Sequence, residues 1–415
     1  MAAPKLRFKE FDGDWTGLKI IDLVKSLDAG VSVNSEDVEP KEDEYSVLKT
    51  SCISSGYFDE NERKRVLQDG EIQRLKEPVL DDSILMSRMN TPLLVGMNAY
   101  VFKAPKNTFL PDRLWQLKID DNKTVTRWLA FYLGSDQGLN QIRDLASGTS
   151  NSMKNITKPD VLNIDLFAPQ KEEQTKIASF LSAVDEKISQ LTQKHALLTQ
   201  YKQGMMQKLF SQEIRFKADD GSEFGEWENK PLSELSEKAM YGMNASATEY
   251  DGLNKYLRIT DICEISHKLK RDNLTSPNAE LEEKYKLGYG DLLFARTGAS
   301  VGKSYLYSVD DGIAYFAGFL IKFSLKLDLV NPYFLFAQTL TLDFDKWVIT
   351  NSMRSGQPGI NAEEYSSYIF KVPCLEEQTK IANFLSAIDQ KIEGVAQQIE
   401  QAKQWKKGLL QQMFI

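Results

Sequence analysis

Apolar residues recur along 172–210 at steps of three and four with polar residues between them, and the same pattern returns at 376–414. Neither stretch contains proline, so the spacing predicts one long helix in each place rather than several short ones. In the first, Val184, Leu191, Leu198 and Met205 recur every seven residues, with Ile188, Tyr201 and Leu209 in the adjacent stripe. In the second, Ile388, Val395, Ala402 and Leu409 form the repeat, and Ile392, Ile399, Trp405 and Met413 fill the stripe beside it. The stretches align without a gap at an offset of 204, and 20 of 39 positions are identical, which marks a duplication rather than shared helical composition. A sustained heptad has to be buried against another helix, and each copy is the other's nearest candidate. His195 matches Ile399 and is read as a histidine in that seam.

Chain geometry sets the expected direction. Each helix should be ~55–60 Å long at ~1.5 Å per residue, whereas the roughly 160 residues between them fold with a radius of gyration of only ~15 Å. A parallel pair would force that segment to span the whole coil; an antiparallel pair brings its two ends together. An antiparallel coiled coil is therefore expected, acting as a rigid spacer with a globular unit at each end.

The duplication reaches past the helices. Arg7-Phe8-Lys9, followed by Phe11 and Trp15, returns as Arg215-Phe216-Lys217, followed by Phe224 and Trp227. Between Trp15 and Pro169, β-rich runs alternate with turns and predict strands at 45–53, 83–86 and 98–102, a helix at 124–133, a glycine loop at 147–151 and a strand at 161–167. The second unit repeats the order: strands at 255–262, 290–295 and 313–325, a helix at 332–342 opening on Pro332, a glycine loop at 355–359 and a strand at 368–372. The fold class expected is α+β, with two mixed α/β modules, 1–168 and 214–372, separated by long helical segments, 169–213 and 373–415, in an internal pseudo-twofold repeat.

Composition changes the picture by exclusion. With 42% hydrophobic and 27% charged residues the chain reads as soluble and globular, and without a membrane-length apolar run or a signal-peptide pattern it is expected in the cytoplasm. Cys52, Cys263 and Cys374 are too far apart for a disulfide framework or a metal knuckle, and two histidines argue against histidine-rich zinc sites. No Ser-His-Asp set, paired-carboxylate site or metal cluster emerges, so neither catalysis nor a cofactor is expected of this chain. The net charge of −8 counts against a nucleic-acid binder unless the acid faces away from the phosphates.

Two motifs have bland readings. Gly298-Ala-Ser-Val-Gly302-Lys303-Ser304 resembles a phosphate-binding loop but has three residues between its glycines where that motif needs four, and is read as a turn between strands. Asn331-Pro332-Tyr333-Phe334 resembles a base-flipping methyltransferase motif without its second proline, and is read as a helix start. Basic runs carry the better signal. Arg63-Lys64-Arg65 in the first unit and Lys268, Lys270 and Arg271 in the second lie at matching places near Tyr57 and Tyr256, and are the first candidates for a DNA-facing edge. Arg88, Arg296, Lys303, Arg354 and Gln357 join them because arginine and glutamine suit bidentate contacts to base edges.

The order module, long helix, module, long helix, with both helices opening in Glu-Glu-Gln-Thr-Lys-Ile-Ala after a strand and a proline, resembles the specificity subunit of type I restriction–modification systems. Gln174, Ile177, Phe180, Leu181 and Asp185, repeated at Gln378, Ile381, Phe384, Leu385 and Asp389, carry the resemblance, and it covers essentially the whole chain. It implies a non-enzymatic adaptor whose modules are target-recognition domains, each reading half of a bipartite site in double-stranded DNA. It implies that the helices dock two methyltransferase subunits, through which restriction and translocase subunits join. S-adenosylmethionine, ATP and Mg2+ would belong to those partners. The competing expectation is a two-armed protein–protein scaffold that binds no DNA, which the acidic pI near 5.2 favours.

Overall fold

Both long helices form without interruption, Lys171–Phe210 and Leu375–Met413, in a computed structural model that describes residues 3–148, 153–353 and 356–414. The chain divides into two compact units that each take part of both helices: Met1–Thr192 with Ala396–Ile415, and Gln193–Val395.

In the first unit an antiparallel sheet has the order Val24–Ala29, Leu114–Ile119, Ser83–Ser87, Asn98–Val101. Its strand Ser83–Ser87 is buried along its whole length, which is why it reads as a continuous apolar run. In the second unit the sheet order is Met240–Tyr241, Leu320–Ser324, Asp291–Ala295, Ser304–Leu306, again antiparallel. Asp291–Ala295 takes the place of Ser83–Ser87 and is equally buried. The scaffold is thus repeated even where the sequences have diverged.

The identical residues explain themselves at the start of each long helix. A short antiparallel pair, Thr16–Lys19 with Asp165–Ala168, leads through Pro169 into the first helix; Glu228–Pro231 with Ile369–Val372 leads through Pro373 into the second. The carboxylate of Glu173, 2% exposed, takes two bonds of 2.7 Å from the Arg7 guanidinium, and that of Glu377, 0% exposed, takes bonds of 3.0 and 2.7 Å from Arg215. Beside them the buried Gln174 amide donates to Pro169 O (3.0 Å) and accepts from Val125 N (2.8 Å), while Gln378 donates to Pro373 O (2.9 Å) and accepts from Asn331 N (2.8 Å). Each Glu-Glu-Gln opening therefore ties strand, module helix and long helix together, and leaving any of these buried groups unpaired would be costly.

Antiparallel packing is evident within each unit separately. In the first, Val184 and Ile188 share a core with Leu409, Met413 and Phe414, and the Lys406 ammonium reaches Asp185 at 2.6 Å. In the second, Met206 and Leu209 share a core with Ile381, Leu385 and Ile388, and Lys202 reaches Asp389 at 2.6 Å. The buried stripe follows the heptad except at Met205. Val184, Ile188, Leu191, Ile388, Val395 and Leu409 are buried, and His195, Leu198, Ile392, Ile399 and Ala402 are half-buried. Met205 is only half-buried, because Met206 takes the inward place. Tyr201 and Trp405 are exposed, and the inward positions next to them hold Lys202 and Lys406 instead. Lys202 stands seven residues after His195 and seven before Leu209, and Lys406 seven after Ile399 and seven before Met413, so the seven-residue spacing itself turns both lysines inward and leaves Tyr201 and Trp405 one residue off it.

Several strand boundaries also shift. The run 45–53 pairs only over Tyr45–Leu48 and then tightens into a single turn at Thr50–Ile53. The run 161–167 opens as a helix, Lys158–Leu162, because Thr157 and Asp160 form a capping box and Pro159 sits in the first turn; only Asp165–Ala168 is strand. The run 255–262 stops at Leu257, and 313–325 breaks into Ala314–Phe316 and Leu320–Ser324. The 332–342 helix ends at Gln338, and Thr341 caps a second helix, Leu342–Ser352, by accepting from Phe344 N.

Candidate nucleic-acid interface

A central strand with no exposed residue delivers whatever follows it to the rim of its sheet. In the first unit that residue is Arg88 and in the second Arg296. The Arg88 carbonyl accepts from Ile156 N at 3.0 Å, and the Arg296 carbonyl accepts from Ile360 N at 2.9 Å. Ile156 and Ile360 are 204 residues apart, so the two arginines hold one structural position in two modules. In both, Nε is buried without a hydrogen-bond partner.

Their surroundings differ. The Arg88 strand continues into Met89–Asn90, which pairs with Lys154–Asn155, and Asn90 donates to Ser87 Oγ at 3.3 Å. The Arg296 guanidinium lies over the Tyr241 ring, 5.1 Å from its centroid, and Arg296 N donates to the carbonyl of Phe319, a ring 61% exposed. The exposed Gln357 side chain lies against Gly298 of the neighbouring turn. Arg354 and most of the first glycine loop, 149–152, lie outside the described residues, as does residue 355 of the second.

The basic runs are held within the fold. Arg63-Lys64-Arg65 is itself a strand, Arg63–Val66, paired with Tyr45–Leu48. Arg65 is bound to Glu36 at 2.7 Å and to Glu44 at 3.6 Å, and the hydrogen bond to Glu36 raises its pKa. Arg63 Nε is buried without a partner. Lys268 meets Glu393 on the second long helix at 2.8 Å, Lys270 donates to Thr260 O (2.9 Å), and Arg271 donates to Asp310 O (3.1 Å) beside Asp311. Lys303 is buried, its ammonium aimed at Ile262 O (3.3 Å) and the Glu264 carboxylate.

The Gly298–Ser304 segment is a turn between two strands. Its amides are spent internally: Gly298 N on Pro358 O, Val301 N on Gly298 O, Gly302 N on Ala295 O and the Tyr365 hydroxyl, Lys303 N on Ser300 O. With those donors and the lysine engaged this turn offers no cradle for a phosphate. Among the described residues no group of three His, Cys, Asp or Glu side chains could hold a metal, and no helix is long and apolar enough to cross a membrane.

The equivalence of Arg88 and Arg296 had a sequence signal, since Ser-Ile-Leu-Met-Ser-Arg and Asp-Leu-Leu-Phe-Ala-Arg are both buried-strand runs ended by arginine. Tyr241 and Phe319 had none, because strand partners far apart in sequence bring them to the rim.

A family model described as the type I restriction modification DNA specificity domain matches residues 13–200 and again 225–404. Among curated relatives, the type I restriction enzyme MjaVIII specificity subunit of Methanocaldococcus jannaschii is 25% identical, over 97% of this chain and 94% of that protein. The crystal structure of a type I restriction–modification system S subunit from M. genitalium superposes with a TM-score of 0.61 at 19% identity, covering 100% of this chain and 99% of that one. A second solved chain, from work on complex assembly and conformational transition of the type I R-M system, gives 0.55 at 16% identity over 95% and 96%.

Proposed function

Because this chain belongs to the type I restriction modification DNA specificity family, we propose that it is the DNA-recognition subunit of a restriction–modification complex, each unit reading one half of a bipartite, asymmetric site. The long helices hold two methyltransferase subunits, and restriction subunits join through these. The chain itself is not an enzyme. Adenine-N6 methyl transfer and ATP-dependent cleavage belong to the partners, which bind S-adenosylmethionine, ATP and Mg2+, and the assembly works in the cytoplasm.

One observation carries this reading: Arg88 and Arg296 occupy the same rim position in two modules whose surroundings differ. Arginine is the side chain that best reads guanine in the major groove, through paired bonds to O6 and N7. Arg88→Ala and Arg296→Ala should each weaken binding of the methyltransferase-bound complex by roughly 10- to 100-fold, about 1–3 kcal/mol. Selection from randomised duplexes should show each substitution relaxing preference in one half-site and leaving the other intact. A uniform loss across all sequences would make these phosphate contacts. A complex that binds no DNA at low salt would favour the protein scaffold.

A further inference from the structure

Each rim arginine has a fixed neighbour across its sheet. The last paired rungs before the arginines are Ser87 with Leu114 and Ala295 with Leu320. One step further, Arg88 N donates to the carbonyl of Arg113 at 3.1 Å, and Arg296 N donates to that of Phe319, also at 3.1 Å. Arg113 and Phe319 therefore hold one structural position in two modules, as Arg88 and Arg296 do. Both precede a leucine that is 0% exposed, Leu114 or Leu320, and both are themselves exposed.

The backbone is the same at this position and the chemistry is opposite. Residues that face each other across an antiparallel pair carry their side chains on one face with Cβ atoms ~4.5–5.5 Å apart, and like charges placed so repel. Arg88 and Arg113 are such a pair, and among the described residues neither guanidinium has a carboxylate partner. An anion or acceptor from outside the chain relieves that repulsion. In the second unit the arginine faces a ring, Phe319, 61% exposed, and lies over another, Tyr241. One exposed ring is ordinary on a protein surface. This one is pinned opposite the rim arginine, where the other module holds a second cation.

We propose that this position is a second base-reading position in each module: Arg113 binds a guanine at or next to the base pair met by Arg88, and Phe319 packs on the methyl group of a thymine at or next to the base pair met by Arg296. Arginine matches the O6 and N7 acceptors of guanine, and apolar contact with the thymine methyl is how phenylalanine tells one base pair from another in the major groove. The ~5 Å across the rung against ~3.4 Å between stacked base pairs brings the two side chains of each module to the same pair or to adjacent ones. The proposal rests on the reading above that both units read DNA.

The test uses the full chain in its methyltransferase-bound complex, first on randomised duplexes and then on the preferred duplex carrying single base analogues. Arg113→Ala should weaken binding roughly 10- to 100-fold and relax one guanine in the half-site that Arg88→Ala relaxes. At that guanine, 7-deazaguanine, which lacks the N7 acceptor, should weaken the unsubstituted complex at least ~10-fold and leave Arg113→Ala unchanged. Phe319→Ala should relax one thymine in the other half-site. Deoxyuridine there, which lacks only the methyl group, should weaken the unsubstituted complex about fourfold and leave Phe319→Ala unchanged. Phe319→Arg should exchange the thymine preference for guanine. The analogues leave the protein unaltered, so they test the contacts whatever the variants do to its stability. Analogues without effect, or a preferred site lacking guanine in the first half or thymine in the second, would overturn the proposal and leave DNA reading standing. So would a loss equal on all sequences, which would make Arg113 a phosphate contact or Phe319 a wedge between bases, or loss of a methyltransferase copy from Phe319→Ala in native mass spectrometry. A complex that binds no DNA at low salt would overturn the DNA reading itself and this position with it.

Discussion

His267 is a half-buried histidine of the second unit. Its Nδ1–H donates to Ser304 O at 2.9 Å, its ring meets Phe336 edge-on at 6.3 Å, and its backbone is left-handed at φ +53°. Burial pushes its pKa below the ordinary 6.5; the bond to Ser304 opposes the shift, nearby Lys303 adds to it, and Glu264 and Asp345 oppose it. A base with a depressed pKa binds fewer protons folded than unfolded, so its contribution is complete above pH 6.5 and is lost as pH falls below that value. The Tm of the second unit should therefore decline between pH 6.5 and 5 more steeply in the unsubstituted chain than in His267→Asn, asparagine being tolerant of left-handed backbone. Equal slopes in a calorimetric pH series would remove His267 as the cause.

Among elements, the long helices decide most. In the first helix the inward methionine is Met206, 5% exposed, and its neighbour Met205 is half-buried, whereas Leu409, which matches Met205, is buried in the second. Met206→Ala should cost about 2–4 kcal/mol, whereas Met205→Ala should cost under ~1 kcal/mol. Chemical denaturation of the two variants reads the difference, and the reverse order would restore the strict heptad. Lys202 and Lys406 take heptad positions between His195 and Leu209 and between Ile399 and Met413: their stems pack in the stripe while their ammonium groups pair with Asp389 and Asp185. Asp185 further accepts from the Tyr57 hydroxyl at 3.1 Å and from Arg127 at 3.2 Å, and Asp389 from the Tyr333 hydroxyl. The aspartate that recurs in both helix openings is thus the point where helix, module and opposite helix are joined.

For the molecule as a whole, the division into compact units cuts across both helices, which makes the chain's last twenty residues part of its first unit. Leu409, Met413 and Phe414 complete the core around Trp128 and Tyr132, and Phe414 touches both of those rings at 6.0 Å. A chain ending at Val395 removes these contacts and the Lys406–Asp185 pair, and keeps every residue of Gln193–Val395. Hydrogen exchange should then show the strand Ser83–Ser87 losing protection while Asp291–Ala295 keeps it. Retained protection in the first strand would mean that the unit stands without its C-terminal helix.

The duplication and the two long helices were legible in the chain because periodicity and residues repeated at a fixed offset survive without knowledge of contacts; the antiparallel pairing followed from helix length against the size of the segment between them, and the α+β class from β-rich runs among helices. The repeated Glu-Glu-Gln opening marked where each helix begins for the same reason. Which cations are free could not be read that way. Arg65, Lys268, Arg271 and Lys303 look like available charge in a linear run, but each finds its carboxylate or carbonyl partner on a segment far away in sequence. Arg88 and Arg296 each end an apolar run in the sequence, but their shared place at the rim came from two unlike sequences folding into sheets of the same strand order. Tertiary structure decided the candidate site because pairing, unlike periodicity, depends on what the fold brings within about 3 Å.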